Sequence, residues 1–140
     1  RVLLYTGLWA AVGVGLIAAL ILRTDLTFSV EPVRNPVNVV LSDGSVRNAY
    51  ELRLRNMTGN PRPVTLGVDS PDPVSLRLEG SEGLDITVPA NATLRQRVYL
   101  TADSASTAAG IDLLDLTLQV TDPATGRVVR EETIFRGKPK

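Results

Sequence analysis

The sequence has no cysteine and no histidine among its 140 residues, one methionine, one tryptophan, and 4% aromatic residues in all. Each absence removes a class of chemistry. Without Cys there is no disulfide, thiolate nucleophile, iron–sulfur ligation or Cys-based zinc site. Without His there is no Ser-His-Asp triad, imidazole metal ligand or imidazole proton shuttle. The lack of Cys also leaves the redox compartment unmarked. Chemistry based on carboxylates, Lys or Tyr survives this elimination. The 15 basic and 15 acidic residues cancel, so there is no cationic excess for a nucleic acid.

Mean hydropathy is +0.09, which is high for a chain with 21% charged residues. The average covers two unlike parts. Residues 2–22 carry no charge at all, whereas residues 23–140 hold 14 of the 15 basic residues and all 15 acidic ones, a net charge of −1. The first residue is Arg, and the chain reads as a piece of a longer one.

Val2–Leu22 is 21 apolar or small residues, about 31 Å as a helix against a hydrocarbon layer of about 30 Å. Arg1 and Arg23 bracket it, with Tyr5 and Trp9 near its start at an interfacial position. A transmembrane helix over residues 1–23 is therefore expected. A signal peptide fits less well, because the run is too long and no small-x-small cleavage pattern follows Leu22. Gly7, Ala11 and Gly15 recur every four residues. The stripe suits close packing against a second helix, and Gly and Ala are also simply common in spanning helices. Arg1 against Arg23 and Arg34 does not decide the orientation.

From Leu26 the period becomes two. Apolar alternation marks nine candidate strands: 26–30, 37–41, 50–55, 64–68, 74–78, 84–88, 94–100, 114–120 and 128–135. Asp43-Gly44, Asn56–Pro61, Pro71 with Pro73, Pro89-Ala90-Asn91 and Asp122–Gly126 separate them. Ser104–Gly110 reads as a loop, with a short helical turn as the alternative. The pattern predicts an all-β domain over residues 24–140, an immunoglobulin-like antiparallel β-sandwich behind one transmembrane α-helix.

Candidate chemistry is sparse. Asp43-Gly44-Ser45 with Asp69, Asp72, Glu79, Glu82 and Asp85 raises calcium, but no Asp-x-Asp-x-Asp-Gly spacing occurs and solvated turn carboxylates are the common alternative. Asn56-Met57-Thr58 and Asn91-Ala92-Thr93 match the glycosylation acceptor pattern, yet Asn at a turn has its own backbone role. Arg53 with Arg55, and Arg95 with Arg97, share polar strand faces, as a basic patch or as solvated residues with acidic cross-strand partners. Tyr50 falls on an inward row, where its hydroxyl needs a backbone acceptor. No catalytic, cofactor-binding or metal-binding residue is assigned, and no enzyme is expected of this chain alone.

Arg34-Asn35-Pro36, then Leu41-Ser42-Asp43-Gly44-Ser45-Val46-Arg47-Asn48, Tyr50 and Asn56, behind a helix that begins Arg1-Val2-Leu3-Leu4-Tyr5, form a distinctive series. It resembles the C-terminal region of the FixG/CcoG family, membrane-bound accessory proteins with a polyferredoxin-like core. The likeness spans the chain in layout, is most specific over residues 34–56, and loosens from about residue 62. It implies an upstream part with Cys-ligated 4Fe-4S clusters, and for the longer protein an iron–sulfur oxidoreductase that reduces copper during maturation of the cbb-type cytochrome c oxidase. It also implies a single pass through the bacterial inner membrane here, with the sandwich in the periplasm. Oxidase subunits or copper-handling proteins are the implied partners, beside the membrane itself. No redox residue carries over onto this chain. A membrane-tethered adhesion or chaperone-like module, unrelated to oxidase assembly, is the alternative.

Overall fold

The computed structural model describes residues 1–21 and 25–138. Helix α1 runs Val2–Ile21, 20 residues without a buried side chain. Its length is about 30 Å, and it is long and apolar enough to cross a membrane. Its one hydroxyl-bearing residue beside Tyr5, Thr6, returns a hydrogen bond to the Val2 carbonyl at 2.9 Å, so it presents no free donor. The expected helix end at Leu22 and Arg23, and the boundary drawn there, lie outside the described residues.

Nine strands follow: β1 Leu26–Pro32, β2 Val39–Val40, β3 Val46–Asn56, β4 Arg62–Asp69, β5 Ser75–Leu78, β6 Asp85–Val88, β7 Thr93–Ala102, β8 Leu114–Thr121 and β9 Val128–Phe135. One sheet has the order β1-β3-β7-β5, with β2 also on β3, and the other has the order β6-β4-β8-β9. All pairings are antiparallel. This is the expected sandwich.

The alternation that predicts the strands also builds the core. Tyr50, Leu52, Leu54, Val98 and Leu100 of the first sheet are fully buried, and meet Val64, Leu66, Leu118, Val120 and Phe135 of the second. Removing this apolar area from water is the dominant favourable contribution to the fold.

Three expectations need correction. β3 begins at Val46, four residues before the apolar row suggests, because Asn48 occupies an inward position and interrupts that row. The 37–41 segment keeps only a two-residue strand, and Val37 and Val40 are exposed. Within residues 104–110 the helical alternative holds over the loop: Thr107–Gly110 forms a short helix, α2, which buries Ala108 and Ala109.

β1 and β2 share one edge of β3, joined by the segment that contains the Arg34-Asn35-Pro36 marker; its Asn35–Pro36 peptide is cis. β1 and β9 are edge strands of opposite sheets, and they lie side by side along one flank of the sandwich.

Candidate functional site

The distinctive residues of the 34–56 stretch are committed to the fold. Asn48, 4% exposed, donates from Nδ2 to the Arg136 carbonyl at 2.8 Å and accepts from the Arg136 N–H at 3.0 Å. A side-chain amide thus supplies both halves of a strand pair to a segment 88 residues away. Two residues on, the Tyr50 hydroxyl donates to the Ile134 carbonyl at 2.8 Å, the backbone acceptor expected of it. Burial pushes its pKa far above that of a free phenol. Asn38 adds a bond of 2.9 Å to the Gly137 carbonyl. Together these three side chains clip the end of β9 to the opposite sheet. Asn48 therefore plays a cross-sheet role.

Gly137 continues the seam. Its N–H reaches the Ile111 carbonyl at 3.0 Å, and the Lys138 N–H reaches Ala109 at 2.8 Å. A Cβ at residue 137 would come within 2.3–2.7 Å of the Ile111, Ala108 and Ala109 carbonyl oxygens. Only a residue without a Cβ allows that approach.

Asn56 does hold a turn. Its Oδ1 accepts from the Thr58 N–H and hydroxyl, and its Nδ2 reaches the Asn60, Val88 and Pro89 carbonyls at 2.8–3.3 Å. At 1% exposure this amide nitrogen is closed to modification. Asn91 stands exposed at φ +50°, a left-handed position that Asn tolerates. In the β2–β3 turn, Asp43 accepts from the Ser45 hydroxyl and N–H, and those bonds hold its carboxyl below the ordinary range. Gly44 supplies the positive φ, 84°.

The acidic residues weighed for calcium are dispersed. Asp85 accepts from the Thr65 hydroxyl, and Glu79 from the Tyr99 hydroxyl. Among the described residues no three His, Cys, Asp or Glu side chains group to hold a metal ion. Two of the four arginines have acidic neighbours: Arg53 lies 3.5 Å from Glu31 and 4.0 Å from Glu51, and Arg95 lies 3.7 Å from Glu51. Gly7, Ala11 and Gly15 sit exposed on one row of α1.

A groove opens where β1 and β9 diverge, at the end of the sandwich away from α1. Its volume is about 650 Å³. Val30, Pro32, Val33 and Val37 form one wall, Thr133 and Ile134 the other, with Asn48 and Ala49 between them. Arg34, Arg136 and Glu132 also line it. Val37 and Ile134 are 44% and 40% exposed. A second hollow of about 570 Å³ adjoins across β9, beside Asp69, Asp115 and Glu132. Walls of mixed polar and apolar character suit the docking of a peptide or protein segment. Sequence reasoning gives no sign of this groove. The one available signal is a polar residue, Asn48, on an otherwise apolar inward row.

Residues 16–138 match a family described as the IG-like fold at the C-terminal of FixG. Among similar proteins, RdxB of Cereibacter sphaeroides is 47% identical over 138 residues, covering 99% of this chain and 29% of that protein. RdxA of the same organism is 51% identical over 140 residues, covering 98% of this chain and 30% of that protein. This chain therefore spans about three-tenths of the length of these curated relatives. A crystal structure of a FixG-related protein from Vibrio parahaemolyticus superposes with a TM-score of 0.70 at 22% identity, covering 83% of this chain and 99% of that one. That likeness establishes the fold.

Proposed function

The chain belongs to the FixG C-terminal family, with its IG-like fold, and from that premise we propose that it is the membrane anchor and docking domain of a FixG-like accessory protein. α1 crosses the bacterial inner membrane once, and the sandwich stands in the periplasm. The whole protein serves assembly and copper maturation of a cbb-type oxidase, with 4Fe-4S redox chemistry upstream of this chain. The chain itself is non-catalytic and engages an oxidase subunit or a copper-handling protein.

One observation carries this reading. A helix of bilayer length is followed, after four intervening residues, by a sandwich of that family. The side chains on which the family resemblance rests support a non-catalytic role, because Asn48, Tyr50, Asn56 and Asp43 all bond within the fold. The groove between β1 and β9 is the surface offered for docking.

Two experiments test the proposal. A topology reporter fused after Lys140 should be active only outside the cytoplasm, and cytoplasmic activity would overturn the periplasmic assignment. In the full-length protein, deletion of residues 25–140 should abolish oxidase maturation while leaving the upstream iron–sulfur absorbance intact. Normal oxidase levels in that deletion would remove the docking role.

A further inference from the structure

The sandwich is electrostatically lopsided along its strands. At the end nearest α1, strands and turns carry five arginines, Arg55, Arg62, Arg95, Arg127 and Arg130. Three acids, Asp25, Asp85 and Asp122, share that end, so arginine is in excess there.

Of these, Arg55 and Arg95 are incompletely neutralised. Arg62 pairs with Asp122 at 3.2 Å. Arg95 stands directly across from Arg53, a like-charge cross-strand pair of unfavourable kind, and Glu51 is shared between the two. Arg55 is exposed, its cross-strand neighbours are Thr27 and Thr93, and among the described residues no ion pair involves it. At the tip of the β8–β9 turn, Arg127 donates to the Ile21 carbonyl at 3.3 Å. That carbonyl lies in the last turn of α1, whose orphan acceptors carry the negative end of the helix dipole.

The chain geometry fixes what this end meets. Ile21 and Leu26 are five residues apart, at most about 18 Å of chain. If α1 crosses the bilayer, this end of the sandwich cannot leave the headgroup region by more than that distance. Resting on that spanning reading, we propose that the arginine-rich end, with Arg55 and Arg95 on the outer face of the first sheet, docks on anionic phospholipid headgroups. The contact holds the strands steeply to the membrane and points the β1–β9 groove away from it. Basic residues near an anionic surface are attracted over about a Debye length, and each adds roughly a fivefold preference for contact.

Because the chain has no Cys, one introduced thiol labels one site. The test uses the full 140-residue chain with a spin label at Thr93→Cys, opposite Arg55, in vesicles of phosphatidylcholine with and without phosphatidylglycerol. Anionic lipid should shield this label from an aqueous relaxation agent, and high salt or Arg55→Gln with Arg95→Gln should remove the shielding, roughly fivefold for each arginine. A label at Ser42→Cys, in the β2–β3 turn at the far end, should stay open to water in every vesicle. Equal exposure of the Thr93 label in both lipids, with a Val12→Cys label buried in the bilayer, would overturn the docking alone. A Val12 label open to water would overturn the spanning reading and this proposal with it.

Discussion

Asn48 performs a backbone task with a side chain. Its amide donates to and accepts from the same residue, Arg136, in place of the strand pair that β9 cannot make across the sandwich. Asn48→Ala removes both bonds, leaves the part-buried Arg136 N–H without its partner and leaves the carbonyl only the 3.3 Å bond from Asn38, which costs about 1–3 kcal/mol. Tyr50→Phe keeps the ring and loses one bond to Ile134, about 1 kcal/mol. Thermal melts of the chain in detergent should rank the two in that order, and the double variant should fall short of the sum because the residues share one clip. Tyr50 has a further signature. Burial raises its folded pKa, whereas the unfolded phenol ionises near pH 10. Above about pH 10 the folded state therefore holds a proton that the unfolded state has lost, and stability falls as pH rises. This alkaline loss should be smaller in Tyr50→Phe; an unchanged slope would show that Tyr50 is not its source.

At the scale of elements, the period-two rows carried most of the architecture, because each strand buries one face and wets the other. β3 shows both the power and the failure of that signal: Tyr50, Leu52 and Leu54 mark it, while Asn48 hides its first turn of alternation. The α2 turn was legible only as the alternative to a loop, since four residues are too few to show a helical period. The groove was out of reach altogether. Its walls come from β1 and β9, about a hundred residues apart, and no local pattern encodes which edges of two sheets will lie together. The seam between the β9 exit and α2 was equally silent, although it is among the tightest contacts in the molecule. Gly137→Ala would drive a Cβ into three carbonyl oxygens, and overpacking of this kind typically costs about 1–3 kcal/mol. Gly59→Ala, with nothing within 4 Å of the added atom, should leave the melt nearly unchanged and serves as the comparison. Equal melting of the two variants would mean that the tail is not held as described.

For the whole molecule, the question is whether a domain read as serving copper maturation handles the metal itself. Cuprous ion selects thiolate and thioether sulfur, with imidazole next among protein ligands. The chain has no Cys and no His, and its single sulfur is the thioether of Met57. Met57 is half-buried in the β3–β4 turn, where its N–H bonds the Asp25 carbonyl. One thioether cannot complete a copper site, and carboxylates, which suit harder ions, are not grouped to replace the missing ligands among the described residues. Cupric ion fares no better, because its square-planar preference asks for nitrogen and oxygen donors held together. The chain, purified in detergent and dialysed, should therefore retain well under one equivalent of copper or iron by mass spectrometry, and Met57→Leu should not change that. Stoichiometric copper that survives dialysis would mean that this domain is a carrier and not a docking element, and would move the metal-handling step from the upstream part into the sandwich.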